Sequence, residues 1–123
     1  MVCIYRRLSG SDIELLVGYV DSTGSIRRTT STLQVGHLVG RVDGTGNIYS
    51  GPVVGRVDKA GNIYSRKTGL DAEQLVGRVG RKGRIYRVLP ESNSQWHIGR
   101  SDSSNLLVTG GAALLLLLPE KQW

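Results

Sequence analysis

The 123 residues suffice for one domain. Phe is absent, Gly numbers 17 and only 39% of residues are apolar, so a core must be assembled from many small Val, Leu and Ile side chains. A net charge of +6 favours anionic partners without choosing among them, and the single cysteine, Cys3, excludes an internal disulfide framework and a multi-cysteine zinc site.

The chain opens on a polar, basic stretch. Met1 to Gly10 has no apolar segment of the kind a signal peptide carries, so the expected location is the cytoplasm, with peripheral contact to a membrane. From Val17 onward one sentence recurs: V-G-R-V-D-x-x-G-x-I-Y. It is written without mismatch at Val39–Tyr49 and Val54–Tyr64. Val17–Arg27 exchanges Arg and Tyr within the frame, and Val76–Tyr86 has Gly80 in place of the Asp. A worn copy, IGRSDSSNLLV, spans Ile98–Val108, with Asn105 where the turn Gly belongs. The usual spacing, counted back from Val17, lands a half-unit on Ile4-Tyr5-Arg6, as though the chain began midway through a sixth unit. That leaves open how many units a closed ring contains, and whether a second chain completes it.

Each unit reads as a β-hairpin. Asp opens a type I turn and Gly at its fourth position accepts the positive φ of a G1 bulge. The turn fixes the register: Val57 opposite Ile63, Arg56 opposite Tyr64, Gly55 opposite Ser65. Alternation then puts Val20/Ile26, Val42/Ile48, Val57/Ile63 and Val79/Ile85 on a core face, and Arg41/Tyr49 and Arg56/Tyr64 outside. The strand Gly in every unit implies a bend or a close approach of backbones. Turn-rich links at 29–32, 50–52, 68–71 and 90–94 predict an antiparallel meander curling round one axis. Near the end, Gly110-Gly111 break the last strand and Ala112–Leu118 is apolar all round. It is too short to span a bilayer, which needs roughly 20 residues, so a helix over about 111–118 inside the closed sheet is expected, with an apolar edge strand and a membrane-dipping tail as the alternatives. The fold class is therefore all-β, with hairpin repeats over about 3–108 closed into a shallow barrel or flower around a short C-terminal helix, in one domain covering 1–123.

The units VGRVDGTGNIYS and VGRVDKAGNIYS resemble the hairpin repeats of the bacterial and phage-associated β-flower proteins. The resemblance covers roughly residues 3 to 108. It implies a pseudo-symmetric ring of hairpin petals, similar in shape to Tubby-like barrels, in which antiparallel strands surround an apolar C-terminal helix. Tubby-like domains include phosphoinositide binders, which brings lipid headgroups among the expected partners. No Tubby lipid-binding residue can be carried onto a position of this sequence.

No catalytic constellation stands out, so a non-enzymatic module is expected, with no metal and no cofactor. His37 and His97 hold different places in their units, and Cys3 has only Arg6 and Arg7 as charged neighbours in sequence. The densest charge is GRVGRKGRIYR, where the turn Asp is lost: Arg78, Arg81, Lys82, Arg84 and Arg87 form the candidate anion-binding patch. The leading expectation is a binding or scaffold module at an anionic lipid surface. The alternatives are a nucleic-acid-binding protein using the same patch and a self-associating or partner-binding assembly module of a phage or bacterial particle.

Overall fold

The computed structural model describes residues 1–8, 13–31, 33–66, 73–89 and 94–118. Ten antiparallel strands close into a barrel: β1 (Val2–Arg7), β2 (Glu14–Val20), β3 (Ser25–Arg28), β4 (His37–Val42), β5 (Asn47–Tyr49), β6 (Val53–Val57), β7 (Asn62–Arg66), β8 (Glu73–Val79), β9 (Arg84–Leu89) and β10 (Ser94–Ser101). One helix, α1 (Leu106–Leu116), fills it. Among the expected links, 50–52 and most of 29–32 are described; residues 68–71 and 90–93 lie outside the described residues.

D-x-x-G turns close three hairpins, or petals, β2–β3, β4–β5 and β6–β7, and Gly80-Arg81-Lys82-Gly83 closes a fourth, β8–β9. The register is the one the turn dictates, with Val57 opposite Ile63, Arg56 opposite Tyr64 and Gly55 opposite Ser65. In the third petal the Gly61 N–H donates to the Asp58 carbonyl at 3.1 Å, and Gly61 sits at φ +91°. In the first three petals the Asp carboxylate completes the turn. Asp43 Oδ1 accepts the N–H of Thr45 at 2.9 Å and of Asn47 at 3.0 Å. The Thr45 hydroxyl, those two N–H groups and the Tyr49 hydroxyl hold the Asp43 carboxyl at about 2. Asp21 and Asp58 are lowered too, Asp21 chiefly by the Thr23 hydroxyl and Asp58 by the Asn62 and Ala60 donors, against the opposing effect of burial. A carboxylate with a depressed folded pKa stabilises the fold above its unfolded pKa, and that stability is lost as pH falls towards the folded value. Melting temperature should therefore drop as pH falls from about 4 towards 2. Asp43→Asn should flatten that drop, read by circular dichroism across the pH series; an unchanged profile would mean the turn carboxylate contributes nothing.

The fifth petal departs from the sequence expectation. Asp102 does not start a turn that returns as a strand. Instead β10 pairs with β1, with Tyr5 opposite Arg100 and Ile4 opposite Ser101. Ile4-Tyr5-Arg6 thus supplies the second half of the worn fifth unit rather than of a sixth, and the described strands close the ring within one chain as five petals. The junction copies an intact turn. Cys3 N–H donates to Asp102 Oδ1 at 2.9 Å and Asp102 N–H to the Cys3 carbonyl at 3.2 Å. The same pair of bonds joins Asn62 to Asp58, at 2.9 and 3.0 Å. Asn105, read as a worn turn residue, has φ −72° and caps the helix, its side chain accepting the N–H of Leu107 and Val108. The helix starts at Leu106 rather than at 111, so Gly110-Gly111 lie inside it instead of ending a strand before it. A Cβ at Gly110 would lie 2.6 Å from Val57 Cγ2, and one at Gly111 would lie 2.6 Å from Val42 Cβ. Close approach to the sheet offsets the roughly 1 kcal/mol that each glycine costs a helix.

The core is one layer deep. Ile4, Ile26, Ile48, Ile63 and Ile85, one per petal, are all 0% exposed and surround α1. The five strand glycines face the leucine run. A Cβ at Gly55, Gly40, Gly18, Gly99 or Gly77 would stand 2.5, 2.5, 2.7, 2.9 or 3.0 Å from a methyl of Leu114, Leu115, Leu116, Leu117 or Leu118 respectively. Consecutive leucines therefore visit the third, second, first, fifth and fourth petals, each the neighbour of the last. Five petals stand about 72° apart, whereas an α-helix turns about 100° per residue. The last turn widens accordingly, with the Leu118 N–H reaching back five residues to the Ala113 carbonyl at 2.9 Å.

Candidate functional site: the two ends of the barrel

The hairpin turns gather at one end, where α1 enters: Leu106 lies beside Gly61 and Leu107 beside Gly46. The inter-petal connections gather at the other, the mouth, where α1 ends.

At the turn end the fourth petal differs from its fellows. Without a carboxylate at Gly80, residues Arg81–Gly83 form a short 3-10 turn, and Lys82 adopts φ +60°, the one positive φ outside glycine among the described residues. A groove runs between this turn and the third petal, floored by Leu106 and walled by Arg78, Arg81, Lys82, Ala60 and Ser104. Among the described residues no acidic side chain lines it. Arg78 Nε donates to Asn62 Oδ1 at 3.3 Å across the petal boundary. Three of the five arginine and lysine residues singled out by sequence thus meet. Arg84 follows the turn, its N–H donating to the Arg81 carbonyl, but lies on the exposed strand face opposite Arg100, outside the groove. Arg87 is brought to the far end, where its Nη2 donates to the Leu118 carbonyl at 2.9 Å.

The mouth is built by a unit position that sequence reading singled out at Arg87 alone: the residue after I-Y, or after Ile26-Arg27 in the first petal. In the five petals, fifth to fourth, these are Arg6, Arg28, Ser50, Ser65 and Arg87. Arg6, Arg28, Ser65 and Arg87 pair across the strand with the glycines Gly99, Gly18, Gly55 and Gly77. Their side chains therefore point inward over the end of α1. Arg28 Nη2 donates to the carbonyls of Leu115 at 3.1 Å and Leu116 at 3.4 Å. Together with Arg87 it satisfies carbonyls that a helix end leaves open, and places positive charge at the negative pole of the helix. The signal lay in the chain as Arg, Arg, Ser, Ser, Arg at one unit position.

The mouth also carries the exposed large apolar side chains among the described residues, except Met1, which is 66% exposed at the turn end. Ile13, Leu15, Leu38, Val53 and Trp96 stand at or just before the mouth ends of strands, and Leu33 and Val35 lie in the connection from β3 to β4. Leu33 is 95% and Val35 85% exposed. That connection is held in place: Tyr19 Oη accepts the Gly36 N–H and Arg27 Nη1 donates to the Gly36 carbonyl, both at 3.1 Å. The carboxylates of the neighbouring strand ends are engaged, Glu14 with Arg100 and Glu73 with Arg56, each at 2.7 Å.

Elsewhere the outer face carries the expected Arg–Tyr stacks, at 4.0 Å for Arg41 on Tyr49 and 4.3 Å for Arg56 on Tyr64. A third, Arg100 on Tyr5 at 4.5 Å, spans the closure. Tyr86 instead packs on His97, ring centres 5.4 Å apart. Burial, then the Arg7 charge, lowers the His97 pKa, and burial, then Asp102, raises that of the Cys3 thiol. Neither pattern activates a nucleophile. Among the described residues no group of three or more His, Cys, Asp or Glu could hold a metal ion, and no helix is long and apolar enough to cross a membrane. Comparison with protein-family models, curated proteins and solved structures finds no match.

Proposed function

We propose that this barrel is a non-enzymatic docking module that seats its mouth on an anionic lipid surface. The observation that carries the reading is the concentration of exposed apolar side chains, Leu33, Val35, Leu38 and Trp96 foremost, on the end that also presents Arg6, Arg28, Arg66 and Arg87. Apolar side chains that enter the headgroup region, ringed by arginines that meet phosphates, are what interfacial binding requires. The likeness to β-flower and Tubby-like proteins enters as part of this proposal, since the five-petal ring around an apolar helix is compatible with it. A second copy seated mouth to mouth is disfavoured, because it would set like charges against each other.

The contact is thereby assigned to the mouth rather than to the patch around Arg81. That groove favours a second reading, nucleic-acid binding, because three cations line it with no acid between them. Co-sedimentation separates the two. With anionic vesicles, Leu33→Ser with Trp96→Ser should weaken binding about tenfold or more, while Arg81→Ala with Lys82→Ala should leave most of it. The reverse pattern, or displacement by added nucleic acid, would assign the contact to the turn end.

A further inference from the structure

The outer wall repeats one ion pair, and the second petal lacks half of it. In the third petal the Arg56 guanidinium lies 4.3 Å over the Tyr64 ring and its Nε meets a Glu73 oxygen at 2.7 Å. In the fifth, Arg100 lies 4.5 Å over Tyr5 and meets Glu14 at 2.7 Å. The register explains both. Tyr64 pairs with Leu75 and Tyr5 with Leu16, and each glutamate stands two residues before that partner, on the same face of its strand. Arg41 is stacked in the same way, 4.0 Å over Tyr49, and Tyr49 pairs with Val53. Two residues before Val53 stands Gly51, and nothing lies within 4 Å of a Cβ built there. Asp43 is spent on its own turn and on the Tyr49 hydroxyl, which donates to it at 3.1 Å. Among the described residues no carboxylate forms an ion pair with Arg41. The fourth petal differs, since Arg78 turns to Asn62. What the missing glutamate leaves is a cavity of about 280 Å³ lined by Ser25, Leu38, Gly40, Arg41, Tyr49 and Gly51.

We infer that this cavity docks an acidic side chain of a protein partner, whose carboxylate takes on Arg41 the place that Glu73 and Glu14 take on Arg56 and Arg100. Charge complementarity selects the head group: a guanidinium held flat on a ring offers its N–H edge to a carboxylate. The adjacent Leu38, 54% exposed, and Val53, 37% exposed, select a polypeptide over a free anion, because a small ion would leave that apolar surface in water. The volume is below the about 300–1,000 Å³ usual for small-molecule sites. A second copy of this chain is a poor occupant. Of its described carboxylates, Glu14 and Glu73 are held by arginines, and Asp21, Asp43, Asp58 and Asp102 by backbone N–H groups. The ring of strands is closed, so the partner is recognised by side chains and not by adding a strand. Arg41 belongs to the outer wall and not to the helix end, so such docking does not require the mouth to meet lipid.

The test follows the arginine Nε–H resonances of the intact, isotope-labelled protein by NMR at low salt. The probes are two blocked tripeptides, one with glutamate between two leucines and one with glutamine there. A single exposed pair is weak, so both are titrated to millimolar concentration. The Arg41 resonance should shift saturably with the glutamate peptide and at least about tenfold more weakly with the glutamine peptide. Arg56 and Arg100 should not respond, because their own glutamates occupy them. Arg41→Gln should weaken glutamate-peptide binding about tenfold or more, while Arg56→Gln, which removes the same charge, should leave it. Glu73→Ala empties in the third petal the place that Gly51 leaves empty in the second, so Arg56 should then begin to respond. Equal shifts at Arg41, Arg56 and Arg100 in the unmodified protein would mean general attraction between cations and carboxylates, and would overturn the site. So would equal affinity for the two peptides, no saturable shift at Arg41, or a silent Arg56 in Glu73→Ala. A response of Arg41 to inorganic phosphate but not to the glutamate peptide would also overturn it, and would assign the guanidinium to phosphate groups.

Discussion

Gly55→Ala is expected to lose at least about 3 kcal/mol of stability, from a change of one methyl group. The added Cβ would stand 2.2 Å from the Tyr64 carbonyl oxygen and 2.5 Å from a Leu114 methyl. The leucine could shift, but the carbonyl belongs to the sheet ladder and cannot retreat without breaking it. Small-to-large changes in a packed core ordinarily cost about 1–3 kcal/mol, and a backbone contact lies at or beyond the top of that range. A domain of this size has only about 5–15 kcal/mol to lose. Leu114→Ala added to Gly55→Ala should rescue little, since the carbonyl clash remains. Gly44→Ala is the internal control: nothing lies within 4 Å of a Cβ there, and its φ is not among the positive ones. Urea midpoints should therefore fall sharply for Gly55→Ala and stay within about 0.5 kcal/mol equivalent for Gly44→Ala. Equal midpoints for the two variants would mean the leucine ring does not need its glycines.

Ile4→Ala should cost as much as Ile63→Ala, about 2–5 kcal/mol each, although one lies four residues from the chain start and the other in mid-sequence. Terminal segments usually fray and tolerate change. Here the first strand closes the ring: Ile4 is 0% exposed, as is Ile63, and β1 pairs with β2 on one side and β10 on the other. The two isoleucines occupy one position in two equivalent petals, so their removal should be equivalent. Denaturant unfolding of both variants checks this. A loss at Ile4 well below that at Ile63 would indicate a barrel that survives without its first strand.

These two expectations also mark what the sequence makes legible. Hairpin register is a local consequence of D-x-x-G, so Val57 opposite Ile63 and the outward Arg–Tyr stacks follow from one unit alone. Closure is not local. Ile4 and Ser101 belong to one petal because the ring brings the ends of the chain together, and no window of sequence contains both. Asn105 misleads for a related reason. Asn serves equally as a left-handed turn residue and as a helix cap, and only the absence of a returning strand decides between them. Gly110-Gly111 suggest the end of a strand before the helix because glycine is a poor helix former, yet they lie inside the helix, where Val42 and Val57 leave room for nothing larger. The match between five strand glycines and the five leucines at 114–118 was visible in the chain but has no meaning until the ring has an axis.

The candidate site divides in the same way. Arg78, Arg81 and Lys82 meet because they are close in sequence around one turn. Arg87 follows them in the chain but sits one strand length away, at the helix end. The exposed apolar residues of the mouth, from Leu15 to Trp96, are scattered over four of the five petals and share only their distance from a turn.

The most direct test of mouth-first docking is quenching of Trp96 by lipids brominated along their acyl chains. It is made on anionic vesicles in a Trp123→Phe background, so that Trp96 is the one reporter. The expected result is strong quenching of Trp96, and little quenching of a tryptophan placed instead at the turn end by Thr45→Trp with both native tryptophans replaced by Phe. Vesicle binding with an unquenched Trp96 and a quenched turn-end tryptophan would contradict the account and place the lipid contact at the opposite end of the barrel.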